Sequence, residues 1–309
     1  MGLNDMGTTV LADTSGTHRT APPAARPAHR AGASRRSLYI GASVTSAIML
    51  IAVWHVISFA RGVSPVSGEN VVPNIADIFA AYLDLANYWR GGLGIDATNQ
   101  GGEMTYAGAT LALLDNTLAS LRRLAAGLGI GILLAVIVAV ATGWSRTVRA
   151  ILRLPAHAAR MIPLIAVIPL FSLWFGHSET GSIVFVSLAV FPIVFVTAET
   201  ALDQVPGTYA EYARSLGAGP VRAYLLAICP AALPGIRGGV MLSLGLGWSM
   251  VIASEFLGQT TGLGNIVNQS QQFANTGVLA LVGIWVLACA AATYGLASWL
   301  FGKLTRWAE

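Results

Sequence analysis

Charge is what this sequence has least of. Of its 309 residues only 10% are charged, against about 25% in an ordinary soluble domain. With 55% of residues hydrophobic and a mean hydropathy of +0.65, the shortage excludes a water-soluble globule built on one core and points to apolar surface facing lipid. Cysteine is nearly absent. Cys229 and Cys289 stand far apart and supply neither a disulfide framework nor clustered metal ligands, so no metal site is expected. Lys303 is the one lysine, and every other cationic side chain is an arginine. No Gly-x4-Gly-Lys-Ser/Thr run occurs, which excludes a phosphate-cradling loop in this chain. No Ser–His pair is placed for nucleophilic chemistry either. Ser46 and His55 share one predicted helix, and a separation of nine residues turns them to opposite sides. An intramembrane hydrolase is therefore excluded, and no catalytic residue is expected.

What the chain has in quantity is apolar runs of about 20 residues, the length a helix needs to cross a bilayer. Six are found: Leu38–Ala60, Leu121–Thr142, Met161–Phe175, Ile183–Ala201, Ala231–Phe256 and Val278–Phe301. The third is short and interrupted by Pro163 and Pro169, so a kinked helix packed inside a bundle is expected. The fold class is thus all-α, a polytopic membrane protein of about six transmembrane helices. Leu38–Ala60 is too long for the apolar part of a cleavable signal peptide and reads as a retained first span. Basic residues fix the orientation. With the N-terminus inside, Arg19, Arg26, Arg30, Arg35, Arg36, Arg146, Arg149, Arg153, Arg160, Arg214, Arg222, Arg237, Lys303 and Arg306 all fall on the cytoplasmic side. The outer side keeps Arg61, Arg90, Arg122 and Arg123, the last two read as the outer edge of the second span. Both termini are expected in the cytoplasm of a cell-membrane protein.

The chain divides at these spans. Residues 1–37 read as a disordered basic tail rich in Ala, Pro, Thr and Arg, which either serves only as an orientation signal or meets anionic membrane lipid headgroups. Residues 38–60 are the first transmembrane helix. Residues 61–118 form an outer loop in which Ile75–Trp89 has an amphipathic helical pattern, with Ile78, Tyr82 and Ala86 on one face. That helix rests on the bundle or docks a partner. Residues 119–309 are the core.

Between the fourth and fifth spans lies a polar, helix-forming stretch, Glu211–Pro234 (EYARSLGAGPVRAYLLAICPAALP), which must stand outside the lipid. Pro206-Gly207 signals a turn. Thr208 is placed as an N-cap, with Glu211 three residues on to complete a capping box. The helix should stop at Gly217, Pro220 should start a second one, and Pro230 and Pro234 should mark the return to the membrane. The spacing at Glu211, Ala213, Gly217 and Pro230 resembles the EAA-x3-G-x9-I-x-LP signature of ABC-importer permeases, with departures at Tyr212, Ala227 and Cys229. Arg160–Gly176, Phe191–Pro206, Cys229–Val240 and Ala253–Val267 are similar to the nitrate/sulfonate/taurine branch of that family, and the likeness runs from about Ser120 to the C-terminus. The resemblance implies a six-helix permease subunit that acts with a second copy of itself on an ABC ATPase subunit dimer, while an extracytoplasmic solute-binding protein delivers a small anion. It implies that Glu211, Ala213, Ser215, Leu216, Gly217 and Pro230, in the loop 202–230, couple the subunit to the ATPase. ATP would be bound by that partner, so no cofactor is expected here and no nucleic acid partner. The alternative class is a stand-alone secondary transporter or channel, but buried ionisable relays and inverted repeats are not visible.

Carboxylates inside a bilayer are costly and draw attention to a site. Glu199 lies near the inner end of the fourth span with Asp203 one turn on, and solvation at the interface is expected. Trp248, Ile252 and Glu255 recur at i, i+4 and i+7 on one face of the fifth span, with Ser249 beside them. This face is the candidate translocation path. Glu255 either lines it, paired with a cation, or hydrogen-bonds backbone near Thr260–Gly264.

Overall fold

The computed structural model describes residues 31–63, 68, 70–256 and 258–306. The expected basic tail lies outside the described residues as far as residue 30. By internal packing the chain divides into residues 1–53 and 54–309. The described part of the first unit is helix, belonging to α1 (Ala31–Arg61), which starts ahead of the expected Leu38.

The second unit is a helical bundle. After α2 (Ile75–Ala80) the chain makes short 3-10 turns and enters α3 (Tyr106–Trp144). There follow α4 (Arg146–Ala159), α5 (Leu164–Phe175), α6 (Glu179–Gln204), α7 (Thr208–Ser215), α8 (Pro220–Ala223), α9 (Cys229–Phe256), α10 (Leu263–Gln272) and α11 (Thr276–Leu304). Among the described residues five helices are long and apolar enough to cross a membrane, or six if the bent pair α4–α5 forms one span.

The second span differs from expectation at its outer end. Thr105 Oγ1 accepts a hydrogen bond from Gly108 N at 3.0 Å, which caps α3 at Tyr106, well ahead of Leu121. From there 39 residues run without a break, about 58 Å at 1.5 Å per residue, so α3 outreaches a hydrocarbon core of about 30 Å. Arg122 and Arg123 therefore lie within α3, with helix on both sides of them. The third span differs as well. Pro163 stands at the N-cap of α5, and α4 and α5 meet at 100°.

The core is the seam of α3, α6 and α9. On α3 small residues recur every fourth position at Gly127, Gly131, Ala135 and Ala139, all buried. They admit Val186, Val190 and Val194 of α6, which are fully buried. A Cβ on Gly127 would sit 2.5 Å from Val186 Cβ, and one on Gly131 3.0 Å from Ser187 O, so only glycine allows this approach. Without a hydrophobic force between lipid-facing helices, such close backbone packing holds spans together. Ser187 Oγ adds a bond to Gly127 O at 3.1 Å.

The outer segment is shorter in helix than its pattern suggested. A capping box between Asn74 and Asp77 starts α2, but the α-helix ends at Ala80 and Leu83–Tyr88 winds as 3-10 helix. The buried side chains are Ala81, Leu85 and Ala86 rather than Ile78 and Tyr82. Tyr88 Oη and Ser270 Oγ lie 2.9 Å apart and tie the segment to α10. Burial pushes the Tyr88 phenol above its ordinary range, so it stays protonated.

Candidate functional site

The loop between α6 and α9 is built as two short rods joined by a glycine stop. α7 begins after Gly207 with no side-chain cap, so the capping box expected from Thr208 and Glu211 is not formed. Thr208 is itself helical and can no longer turn its hydroxyl onto the following amides. Glu211 stands exposed in the first turn, where the helix dipole favours an acid. At the other end the expected stop is present in full. Gly217 adopts φ +85°, its N–H bonds Arg214 O at 2.9 Å, and Ala218 N–H bonds Ala213 O at 3.0 Å, the paired bonds of a Schellman motif. Pro220 then opens α8. Ala210 is buried against the bundle while Glu211, Ser215 and Gly217 are exposed and Ala213 is half-buried. Tyr212 is 73% and Leu216 89% exposed, two large apolar side chains with nothing over them in this subunit.

Pro230 and Pro234 do not interrupt the chain. Tyr224–Ile228 forms a π turn that runs directly into α9, which contains both prolines. A proline ring clashes with the carbonyl four residues earlier and offers no N–H to it. The wider turn relieves Leu226 of that carbonyl clash, so the helix continues through the prolines.

Where the turn between α9 and α10 meets α3 and α6, Arg123 organises a buried polar cluster. It is 1% exposed and commits all five of its N–H groups. Nε donates to Glu179 Oε2 at 2.8 Å and Nη2 to Glu179 Oε1. Nη1 reaches Glu255 Oε1 and Thr261 O, both at 2.7 Å, and Nη2 also reaches Thr261 Oγ1 at 2.6 Å. Glu255 is fully buried, and its other oxygen accepts from Ser120 Oγ at 2.8 Å and Gly264 N at 2.9 Å. Asn116 Oδ1 accepts from Gly262 N at 2.8 Å. Thr261 and Gly262, in the turn between α9 and α10, are thereby fastened to α3. Of the two sequence readings of Glu255, both hydrogen-bonded partners are present, the cation and the backbone. Arg123 went unrecognised because it was read as lying at a membrane edge. An arginine pair, Arg122-Arg123, at the head of a long apolar run was the available signal.

The rest of the candidate path divides. Trp248 is 3% exposed and its indole N–H donates to Thr293 Oγ1 of α11 at 2.9 Å. Ile252 is half-buried, and Ser249 is exposed on the other side of the helix. Trp248 and Glu255 thus face the interior of this subunit, and Ser249 faces out of it. Near the C-terminal end of α6, Glu199 is not solvated. It is 3% exposed, with His157 Nε2 2.8 Å from its Oε2 and Arg153 Nε 3.3 Å from its Oε1. Asp203, one turn on, pairs with Arg149 at 2.8 Å. The amphipathic α4 folds back over the end of α6 and supplies these partners, which no single-helix reading could reveal.

Residues 127–308 match the family described as binding-protein-dependent transport system inner membrane component. The taurine transport system permease protein of Escherichia coli is 38% identical over 170 residues, 55% of this chain and 62% of that one. The chain thus spans less than two thirds of that relative. A probable ABC transporter permease of Brucella melitensis is 34% identical over 57% of this chain and 72% of its own. A putative aliphatic sulfonates permease of Bacillus subtilis is 32% identical over 51% and 57%. Among solved structures, a chain of the MetNI methionine ABC transporter superposes with a TM-score of 0.50 at 21% identity, covering 62% of this chain and 94% of that one. An amino acid ABC transporter solved with histidines gives 0.51 at 18% identity, covering 64% and 94%. These two likenesses show the fold alone, and it is the fold of ABC transporter membrane subunits. With more than half its length inside the family match, the chain belongs to the binding-protein-dependent transport system inner membrane components.

Proposed function

We propose that this chain is the membrane subunit of an ATP-driven importer for a small organic sulfonate or related anion. It performs no chemistry itself and is moved by a dimer of ABC ATPase subunits, which bind and hydrolyse the ATP. A second copy of the chain completes the pore, and a solute-binding protein outside the cell supplies the substrate. The termini and the α7–α8 loop lie in the cytoplasm. The observation that carries this reading is the α7–α8 loop. It joins two spans of the buried seam through a glycine stop and a proline start, and it presents Tyr212 and Leu216 uncovered. Motion applied there passes through α6 and α9 without an intervening flexible linker. Glu211, Ala213, Ser215, Leu216, Gly217 and Pro230 are the coupling residues of this proposal. Of the path candidates, Ser249 is the one whose position suits a pore between two copies, while Trp248, Ile252 and Glu255 brace the helix that carries it. The choice of substrate class follows the taurine and aliphatic sulfonate relatives.

The test is ATP hydrolysis by this chain copurified and reconstituted with its genomically adjacent ATPase and its binding protein. Stimulation by taurine or an alkyl sulfonate is expected. Stimulation by nitrate or bicarbonate alone would move the substrate class. Failure of the ATPase to copurify would overturn the coupling role and favour a stand-alone transporter or channel.

A further inference from the structure

α4 together with its C-cap, Arg160, carries Arg146, Arg149, Arg153, His157 and Arg160, and no acidic residue. At 100° per residue all five fall within a single arc of about 80°. Arg146, Arg153 and Arg160 repeat every seventh position, so they form one row with steps of about 10 Å along the axis. Two members of the arc are engaged from α6: Arg149 pairs with Asp203 at 2.8 Å, and His157 Nε2 lies 2.8 Å from Glu199 Oε2. Arg153 touches Glu199 through Nε at 3.3 Å yet stays 54% exposed. Arg146 and Arg160 are exposed and form no ion pair among the described residues. The opposite face of α4 is apolar and uncovered, with Ile151 63% and Leu154 78% exposed.

The direction of α4 gives these features one meaning. α5 is apolar throughout and meets α4 at 100°. Where α5 enters a bilayer along its normal, the 100° bend lays α4 near the membrane plane, with Ile151 and Leu154 dipping toward the acyl chains and the arginines at the depth of the phosphates. We propose that the row Arg146, Arg153 and Arg160 on α4 is a binding track for the headgroups of anionic phospholipids. The headgroups supply the negative charge that Glu199 and Asp203 leave lacking, and they hold α4 against the end of α6, the helix that leads into the α7–α8 loop. The inference rests on the chain being a membrane permease and not on its substrate or its ATPase.

The experiment is native mass spectrometry of the purified full chain in neutral detergent, delipidated and then titrated with phosphatidylglycerol or, separately, phosphatidylcholine. Retention of phosphatidylglycerol over phosphatidylcholine is expected, falling with salt. Charge removal in R146Q/R153Q/R160Q should weaken it by up to about a hundredfold, since each surface arginine contributes roughly a factor of five. The charge-preserving R146K/R153K/R160K should retain the lipid, and so should R90Q, whose guanidinium lies in the outer segment. Equal retention of the two lipids overturns the proposal, as does undiminished binding by a glutamine triple variant that elutes and unfolds like the parent. Displacement of the lipid by millimolar inorganic phosphate or taurine would also overturn it, because the row would then serve a free anion. The readout is lipid binding, so its failure is distinct from a failure of ATPase copurification.

Discussion

Arg123 shows how one side chain can decide a membrane fold. Burying an arginine is costly unless every donor is met, and here two carboxylates, a carbonyl and a hydroxyl meet all five. Arg123→Met leaves the Glu255 carboxylate buried without its cation and should cost about 3–5 kcal/mol, read as a lower thermal midpoint of the detergent-purified chain. Glu255→Gln keeps the shape, and Arg123 keeps Glu179, so a smaller loss is expected. An unchanged midpoint for Arg123→Met would show that the cluster does not stabilise the bundle. Two glycines make a second contrast. Gly262, at φ +107°, has the Glu255 carboxylate where its Cβ would go, whereas Gly217, at φ +85°, has nothing within 4 Å. Gly217→Ala should cost only the backbone term of about 1 kcal/mol, seen as faster hydrogen exchange confined to the loop. Gly262→Ala adds a steric clash and should lower the yield of folded protein. Equal effects would mean that backbone strain alone matters at both.

At the scale of elements, the α7–α8 loop and α4 were read very differently from sequence. In the loop, Pro206-Gly207, Gly217 and Pro220 each act locally, through fixed φ or freedom of φ, so the positions of the rods were legible. The cap was not, because Thr208 is drawn into the helix by one residue. The prolines were read as the return to the membrane, and what the sequence did not show is that one helix carries both once the preceding turn widens. α4 hid behind its charge. Four arginines near a span read as an inner loop, yet Arg149, Arg153 and His157 fold onto Asp203 and Glu199, residues some forty to fifty positions away. The loop yields a prediction of its own. Leu216→Ala removes an exposed side chain and should leave the subunit's stability within about 0.5 kcal/mol, while weakening copurification with the ATPase about tenfold or more, as for an interface anchor. Full retention of the ATPase would remove Leu216 from the docking surface.

For the whole molecule the open quantity is sidedness. The proposed topology places Phe79 outside and Leu216 inside. In a background where Cys229 and Cys289 are changed to serine, a membrane-impermeant maleimide should label Phe79→Cys in intact cells and Leu216→Cys only after permeabilisation. The reverse pattern would invert the topology and detach the loop from any cytoplasmic motor. Both positions are well exposed, Phe79 at 75% and Leu216 at 89%, so absence of labelling reports the membrane and not burial.

Taken residue by residue, the sequence determined the membrane class, the approximate spans, the glycine stop at Gly217 and the likeness to permeases. All of these rest on local composition or spacing, on hydropathy over about 20 residues or on one residue's φ. Only the tertiary structure decided what pairs with what. It placed Arg123 against Glu179 and Glu255, buried Glu199 under α4, turned Trp248 inward and carried α9 through two prolines. Those outcomes depend on contacts between residues distant in the chain, where the cost of an unpaired buried charge selects the arrangement. Periodicity along one helix holds no record of the helix that will face it.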